Sequence, residues 1–229
     1  MQGMMGDWNN YLQSNRNVYS QVSSCYCKKS YFRVLNSFNS ELNVQINDIL
    51  MAENLKNGEF TRYARLEPGT YDVRIYESEK PNNLVFQSLI EIDRNLTYTG
   101  VIAKDDMDKT DICVLVIPEA KEHAITGHMS AIRFTNLTSN TPELELVTSD
   151  GTILFSNIKY SDVSNNVAVP SGRYTLKLKE KNSDNVIKSM NFDFAPRMHY
   201  TLFLIGNHGD YPDVQIVVPE DGVNYLELC

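Results

Sequence analysis

The chain has 229 residues and carries 29 acidic against 21 basic side chains, which gives a net charge of −8. This length suits one large β domain or two domains of about a hundred residues each. The negative charge repels phosphate backbones and anionic lipid head groups, so it argues against nucleic-acid or membrane-surface binding. No stretch approaches the roughly 18–20 apolar residues that span a bilayer.

Residues 1–30 are rich in Asn, Gln, Ser and Tyr and show no sustained helical or strand period. This composition predicts a flexible N-terminal arm. The same residues show no charged segment followed by an apolar one, so we expect no conventional secretory signal. Synthesis in the cytoplasm is the resulting expectation, and the final location, including deposition on a cell or spore surface, stays open.

From Tyr31 onward, short apolar and β-branched runs alternate with turn-forming residues, which is typical of strands. In Tyr71–Ile75 and in Tyr174–Leu178 the apolar side chains fall on alternate positions, so one face of each strand should pack inward. Tyr200–Ile205 is apolar on both faces. This pattern predicts a central strand or one that is covered by another domain.

The two halves of the chain repeat one pattern. LEPGTYDVRIY at 66–76 corresponds to VPSGRYTLKLK at 169–179, and Phe32–Asn36 corresponds to Ile132–Asn136. A repeat of this length is not a solenoid unit, since those units have about 20–50 residues. We interpret it as a duplicated domain. The glycine of each turn motif precedes a strand, where a turn needs a positive φ or a close backbone approach.

The sequence therefore predicts an all-β protein with two tandem antiparallel β-sandwich domains and a flexible N-terminal arm. We expect the arm over residues 1–30, the first sandwich over 31–120, a linker over 121–129 and the second sandwich over 130–229. The linker is short and is not rich in Gly or Ser. The two sandwiches should therefore touch, with limited relative freedom.

The same residues resemble a known family. Ile153–Ile158, Val169–Leu176 and Tyr200–Phe203 are similar to the bacterial family called domain of unknown function 4397. The second copy is the better match, because Phe155-Ser156-Asn157 corresponds to Met51-Ala52-Glu53 in the first. The resemblance implies an immunoglobulin- or transthyretin-like sandwich, often in tandem and often on bacterial surfaces. It implies no enzymatic activity and no catalytic residues.

The cysteines do not occupy equivalent positions in the two repeats and lack the paired spacing of a zinc site. We therefore expect thiols rather than a duplicated disulfide framework. Three of them, with the tyrosines of the arm, form an oxidisable set that is available for cross-linking in an extracellular layer such as a spore coat: Cys25, Cys27, Cys229, Tyr11, Tyr19, Tyr26 and Tyr31. The alternative is that they are simply exposed thiols.

Asp105, Asp106, Asp108 and Asp111 place four carboxylates within seven residues, and they are the candidate ligands for Ca²⁺, which binds about six to eight oxygen atoms. The corresponding segment of the second repeat, 207–213, holds only two carboxylates. Neither segment has the glycine and distal glutamate of an EF-hand loop. An ordinary solvated hairpin loop is the alternative that we favour, so we predict no metal site.

No nucleophile elbow, Walker loop or dinucleotide fingerprint occurs in the sequence, so we predict no enzyme and no cofactor. The histidines do not recur at equivalent positions of the repeats, and we interpret all four as solvated loop residues: His123, His128, His199 and His208. An enzyme would need an acid–base pair across the domain interface. Two close carboxylates of raised pKa in an interdomain cleft would indicate one.

The leading hypothesis is a non-enzymatic structural or interaction protein, which self-assembles or binds a protein partner through loops and edge strands. A bacterial surface or a spore-coat layer is the suggested setting. The alternative is a ligand-binding module for carbohydrate or peptide. It would use Tyr160, Tyr211 and Tyr225 on exposed loops as stacking residues.

Overall fold

The computed structural model describes residues 29–105, 112–119 and 125–228. Within these ranges the first repeat forms eight strands: β1 (Ser30–Asn36), β2 (Leu42–Ile46), β3 (Ile49–Leu55), β4 (Ala64–Leu66), β5 (Gly69–Glu77), β6 (Leu84–Ile92), β7 (Thr97–Lys104) and β8 (Ile112–Pro118). The second repeat forms β9 (Met129–Asn136), β10 (Leu144–Thr148), β11 (Ile153–Ile158), β12 (Val167–Pro170), β13 (Gly172–Glu180), β14 (Val186–Phe194), β15 (His199–Ile205) and β16 (Gln215–Val217), followed by a 3-10 turn, Gly222–Asn224.

Each repeat is a unit of two four-stranded sheets. In the first unit the inner sheet has the order β4-β1-β7-β8 and the outer sheet the order β3-β2-β5-β6. The second unit repeats both orders, as β12-β9-β15-β16 and β11-β10-β13-β14. The predicted all-β class with two tandem sandwiches is therefore confirmed. Paired strands are antiparallel except β1 with β7 and β9 with β15, which run parallel.

Each unit has its own apolar core between its inner and outer sheets. Strand alternation supplies it, since residues such as Val73 and Ile75 of β5 point inward while their neighbours remain partly exposed. Leu176 and Leu178 take the same positions in β13. The alternating pattern that the sequence shows at these two strands is thus the pattern of the two cores.

A third apolar cluster joins the two inner sheets. Its buried members come from both units: Leu35, Val101, Ala103, Ile117, Leu137, Phe203 and Ile205. The four sheets therefore stack in the order outer, inner, inner, outer, and the central strands β7 and β15 are covered on both faces. Both predictions for Tyr200–Ile205, a central strand and one covered by the other unit, are confirmed. The units are in contact, as the short linker predicts, although linker residues 121–124 lie outside the described ranges.

Gly172 begins β13 at a φ of 139°, a conformation that side chains of L-residues rarely adopt. A Cβ there would meet no atom within 4 Å, so the backbone conformation and not a close approach requires glycine. We expect Gly172→Ala to lower the free energy of unfolding by about 1–3 kcal/mol, measured by urea denaturation. Gly69→Ala should cost less, because Gly69 has a φ of 157°, nearer to extended backbone. Equal stability of the Gly172→Ala variant and the unmodified protein would contradict this account.

Candidate functional site

Four buried charged residues lie between the two units. Arg33 is in β1 and Arg133 is at the equivalent position of β9, while Glu119 follows β8 and Asp221 precedes the 3-10 turn. Glu119 and Asp221 are each only 2 % exposed. Charged groups taken out of water cost free energy unless they are paired and hydrogen-bonded. We therefore expect each of these four side chains to have hydrogen-bonding or oppositely charged partners.

The two arginines make reciprocal bonds across the interface. Arg33 donates from Nη1 to the carbonyl oxygen of Glu220 at 3.1 Å. Arg133 donates from Nη1 to the carbonyl oxygen of Pro118 at 2.7 Å. Arg33 therefore reaches the segment after β16, and Arg133 reaches the last residue of β8. The pattern relates the two units by an approximate two-fold rotation.

Each arginine also bonds within its own inner sheet, and again the two units match. Arg33 donates from Nε to the hydroxyl of Thr99 at 3.0 Å, and Arg133 donates from Nε to the hydroxyl of Thr201 at 2.8 Å. Burial lowers the pKa of Arg133, whereas the nearby Asp221 and Glu119 carboxylates raise it. Each guanidinium group is thus held by one bond within its own unit and one bond to the other unit.

Both carboxylates approach Arg33. Its Nη2 lies 3.3 Å from Oε1 of Glu119 and 3.7 Å from Oδ1 of Asp221. Asp221 also accepts bonds from the backbone N–H of Thr201 at 3.2 Å and from its hydroxyl at 2.9 Å. Burial raises the pKa of both carboxyl groups. Repulsion from Asp221 raises the pKa of Glu119 further, and Arg33 opposes this rise. Arg133 and Arg33 oppose the rise in the pKa of Asp221.

Tyr63 closes one side of the cluster. Its hydroxyl donates to Glu119 and accepts the backbone N–H of Gly222 at 3.0 Å. Its ring centroid lies 4.6 Å from the guanidinium carbon of Arg33, within cation–π range. Burial raises the pKa of Tyr63 far above its ordinary value, so it stays a neutral donor to Glu119. The ring of Tyr225 packs edge-on against it at 6.3 Å.

These carboxylates meet part of the description of an interdomain acid–base pair, because they are close to one guanidinium and have raised pKa values. They do not meet the rest of it. Both are almost fully buried and hydrogen-bonded, so a substrate has no access to them. The arrangement can fix the orientation of the two units, and it offers no reacting atom to solvent.

Sequence reasoning missed this cluster. A signal was present in the repeat itself, since Arg33 and Arg133 are charged residues at matching positions of two largely buried strands. A charge kept inside a buried strand in both copies implies a buried partner. The partners Glu119 and Asp221 could not be identified this way, because nothing local links them to the arginines.

Most of the predicted site residues are not part of this cluster. Ten of them lie outside the described residues: Tyr11, Tyr19, Cys25, Tyr26, Cys27, Asp106, Asp108, Asp111, His123 and Cys229. Asp105 follows β7, and no group of three or more His, Cys, Asp or Glu within the described ranges could hold a metal ion. The remaining cysteine, Cys113, donates from Sγ to the carbonyl of Lys104 at 3.2 Å.

The described histidines take separate positions. His128 lies in the turn before β9, His199 begins β15, and His208 lies in the segment after β15. His199 is not a fully solvated loop residue as expected, because its Nδ1 lies 3.3 Å from Oδ1 of Asn224 and its Nε2 is buried. It helps to hold the 3-10 turn against the second unit.

The three candidate stacking tyrosines have different surroundings. Tyr160 donates its hydroxyl to the carbonyl of Lys104 in the other unit, so it is part of the interface. Tyr225 packs against Tyr63. Tyr211 is highly exposed in the segment between β15 and β16. Two of the three tyrosines are therefore engaged in contacts within the chain.

A groove of about 590 Å³ lies in the second unit between the edge strands β11 and β12. Its lining combines the turn 148–152, Ile153 and Leu154 of β11, Val167–Pro170 of β12, and Arg173–Thr175. Edge strands leave backbone N–H and C=O groups without a strand partner on one side. The groove is therefore a candidate site for an extended ligand.

The outer sheets expose aliphatic side chains at equivalent positions of the two units. Leu50 of β3 and Ile153 of β11 are 48 % and 55 % exposed. Leu50 stands opposite Gln45 of β2, and Ile153 stands opposite Val147 of β10. Leu84 and Val186 begin β6 and β14 and are 44 % and 43 % exposed. Both outer sheets thus expose aliphatic groups at equivalent positions.

The chain belongs to the family described as domain of unknown function 4397, whose profile matches residues 30–147 and 130–225. These two overlapping matches confirm a tandem repeat of this domain. No curated protein matches the sequence. No helix within the described ranges is long and apolar enough to cross a membrane.

Several solved structures show a distant likeness. One is a family 26 carbohydrate-binding module of Eubacterium rectale Amy13K in complex with maltoheptaose, with 9 % identity, 84 % of this chain and 96 % of that chain covered, and a TM-score of 0.27. A second is a structure of family 41 carbohydrate-binding modules from streptococcal virulence factors, with 11 % identity, 86 % of this chain and 100 % of that chain covered, and a TM-score of 0.28. A third is the Bacillus anthracis TIE protein, with 13 % identity, 77 % of this chain and 33 % of that chain covered, and a TM-score of 0.23. These TM-scores support no functional argument.

Proposed function

We propose that the chain is a non-enzymatic structural or interaction protein that presents two outer sheets in opposite directions at a fixed spacing. The observation that carries this proposal is the shared interface of the inner sheets, with its apolar cluster and its reciprocal arginine bonds. We infer that this interface, with its apolar cluster and its hydrogen bonds, restricts movement between the two units.

The proposed setting is a bacterial surface or a spore-coat layer, where a rigid two-faced module would join neighbouring components. The recurrence of exposed aliphatic residues on both outer sheets supports contacts with other proteins there. The cross-linking hypothesis for Cys25, Cys27 and Cys229 remains a prediction that fits the same setting. The almost complete burial of Glu119 and Asp221 supports the absence of catalysis.

The first experiment is fractionation of growing cells and dormant spores of the source organism, probed with and without reductant. We expect the protein in an insoluble surface or coat fraction. A variant with Cys25, Cys27 and Cys229 replaced by Ser is the matched control, and it should become extractable without reductant if those thiols form cross-links. Protein that is a soluble monomer at every growth stage, with none in the insoluble surface or coat fractions, would overturn the proposed function.

The alternative function is binding of a carbohydrate or peptide, and the groove between β11 and β12 is the observation that favours it. Its charged lining residues, Asp150 and Arg173, would orient an extended ligand between the two strand edges. Titration calorimetry with linear oligosaccharides and with extended octapeptides tests it. Binding that Arg173→Ala abolishes would support this function, and heat signals at the level of buffer dilution for all probes would exclude it.

A further inference from the structure

We propose that the partner of each outer sheet is a second copy of this chain. The first face is the outward side of β3-β2-β5-β6, and the second face is the outward side of β11-β10-β13-β14. The first face of one copy docks on the second face of the next copy. This inference rests on the proposed function, because it names the partner of the same two surfaces.

The strands of the two outer sheets differ in the sign of their charge. On the outward side of the first face are three carboxylates and one cation, Glu53, Asp72, Glu91 and Arg74, whereas Glu77 stands opposite the core residue Leu42. On the outward side of the second face are three cations and two carboxylates, Arg173, Lys177, Lys179, Glu145 and Asp193, whereas Lys188 and Glu180 stand opposite the core residues Leu178 and Leu144. The first face is thus net negative and the second face net positive. Opposite charge favours pairing of unlike faces, and like charge disfavours pairing of two first faces.

Cross-strand pairs reduce the positive charge of the second face, because Arg173 stands opposite Asp193, and Lys179 stands opposite Glu145 and 3.6 Å from Asp184. Arg74, the only cation on the strands of the first face, lies 2.5 Å from Asp72, which also accepts bonds from Gln87. Glu91 stands opposite Thr70, so no cross-strand cation neutralises it. On the second face, Lys177 stands between Val147 and Ser189, which are uncharged.

Both faces also offer apolar area for contact. Leu89 on the first face is 68 % exposed, and it alternates with the core residue Ile90, so it points outward. Ile153 and Val186 lie at the two edges of the second face and are about half exposed. Apolar groups of this size, partly ringed by charge, are the composition expected of a docking surface.

The geometry determines the form of the assembly. The two faces are at opposite ends of the four-sheet stack, and they are not identical in charge. A contact between two different surfaces of the same chain is heterologous, and it continues without limit unless a rotation closes it into a ring. The inferred product is a chain of molecules joined first face to second face.

Sedimentation velocity of the full chain in reducing buffer tests this pairing over rising protein concentration. The unmodified protein should give species that grow beyond the dimer. A first-face variant, Leu89→Lys with Glu91→Lys, and a second-face variant, Lys177→Glu with Ile153→Glu, should each sediment as monomer. These side chains are outside the cores, and circular dichroism checks that both variants fold.

A mixture of the two variants provides the decisive measurement. Each variant keeps one intact face, and the intact faces are of opposite kind, so an equimolar mixture should form a dimer and nothing larger. Dimers of one variant alone would show pairing of like faces and overturn the inference. Monomer at every concentration of the unmodified protein would overturn it as well.

The fractionation experiment separates this inference from the proposed function. Protein that is located in a coat or surface layer but monomeric in sedimentation would overturn the self-pairing and leave the proposed function in place. Protein that assembles in sedimentation but stays in the soluble cell fraction would overturn the proposed function and leave the self-pairing in place. The two failures are therefore distinguishable.

Discussion

Replacing Arg33 by Met is expected to lower the free energy of unfolding by about 3–5 kcal/mol, the range for breaking a buried ion pair from one side. The change removes the cation that Glu119 and Asp221 approach, and it leaves both carboxylates buried without it. It also removes the bond to the carbonyl of Glu220 in the other unit. Urea denaturation followed by tyrosine fluorescence measures the loss.

A matched control is Arg74→Met on the first face. Arg74 also has a carboxylate partner, Asp72, but solvent screens that pair, so the variant should unfold at nearly the same urea concentration as the unmodified protein. The double variant Arg33→Met with Glu119→Gln should recover part of the loss, because one uncompensated carboxylate disappears. An Arg33→Met variant as stable as the control would show that the charged cluster does not hold the units together.

Replacing Phe203 by Ala should have a similarly large effect, a loss of about 3–5 kcal/mol. Phe203 is fully buried in the cluster between the inner sheets, where its ring meets Phe60 of the other unit edge-on at 5.7 Å. The cavity would lie between the units and not inside either core. We therefore expect the variant to unfold in two calorimetric transitions, whereas the unmodified protein unfolds in one.

Phe194→Ala is the control for cavity size without loss of coupling. Phe194 is equally buried but belongs to the core of the second unit. This variant should lose comparable stability, yet the first unit keeps its intact interface until the second unfolds. Two transitions in both variants, or one transition in both, would contradict the assignment of Phe203 to the contact that couples the units.

The sandwiches were predictable because their information is local. Alternation of apolar and polar side chains in Tyr71–Ile75 and Tyr174–Leu178 marks strands with one buried face, and the repeated turn motif marks a duplication. The absence of alternation in Tyr200–Ile205 indicated that both faces of this strand are covered. The pattern of this one strand thus indicated the contact between the units.

The charged cluster was not predictable in the same way. Arg33 and Glu119 lie 86 positions apart, and only the packing of the inner sheets brings them together. Tyr63 gave no signal either, since a tyrosine between β3 and β4 is typical of many β proteins. The parallel pairing of β1 with β7 was missed because strand direction is set by topology, which a single local pattern does not contain.

The bond between Arg33 and the carbonyl of Glu220 spans 187 positions, and the bond between Tyr63 and Gly222 spans 159. A ribosome therefore releases nearly all of the first unit long before the groups that satisfy its arginine and tyrosine have been made. The nascent first unit must keep this side hydrated, or shielded by a chaperone, during that interval. Contacts of such long range also slow folding, so acquisition of the final form is expected to follow the end of translation.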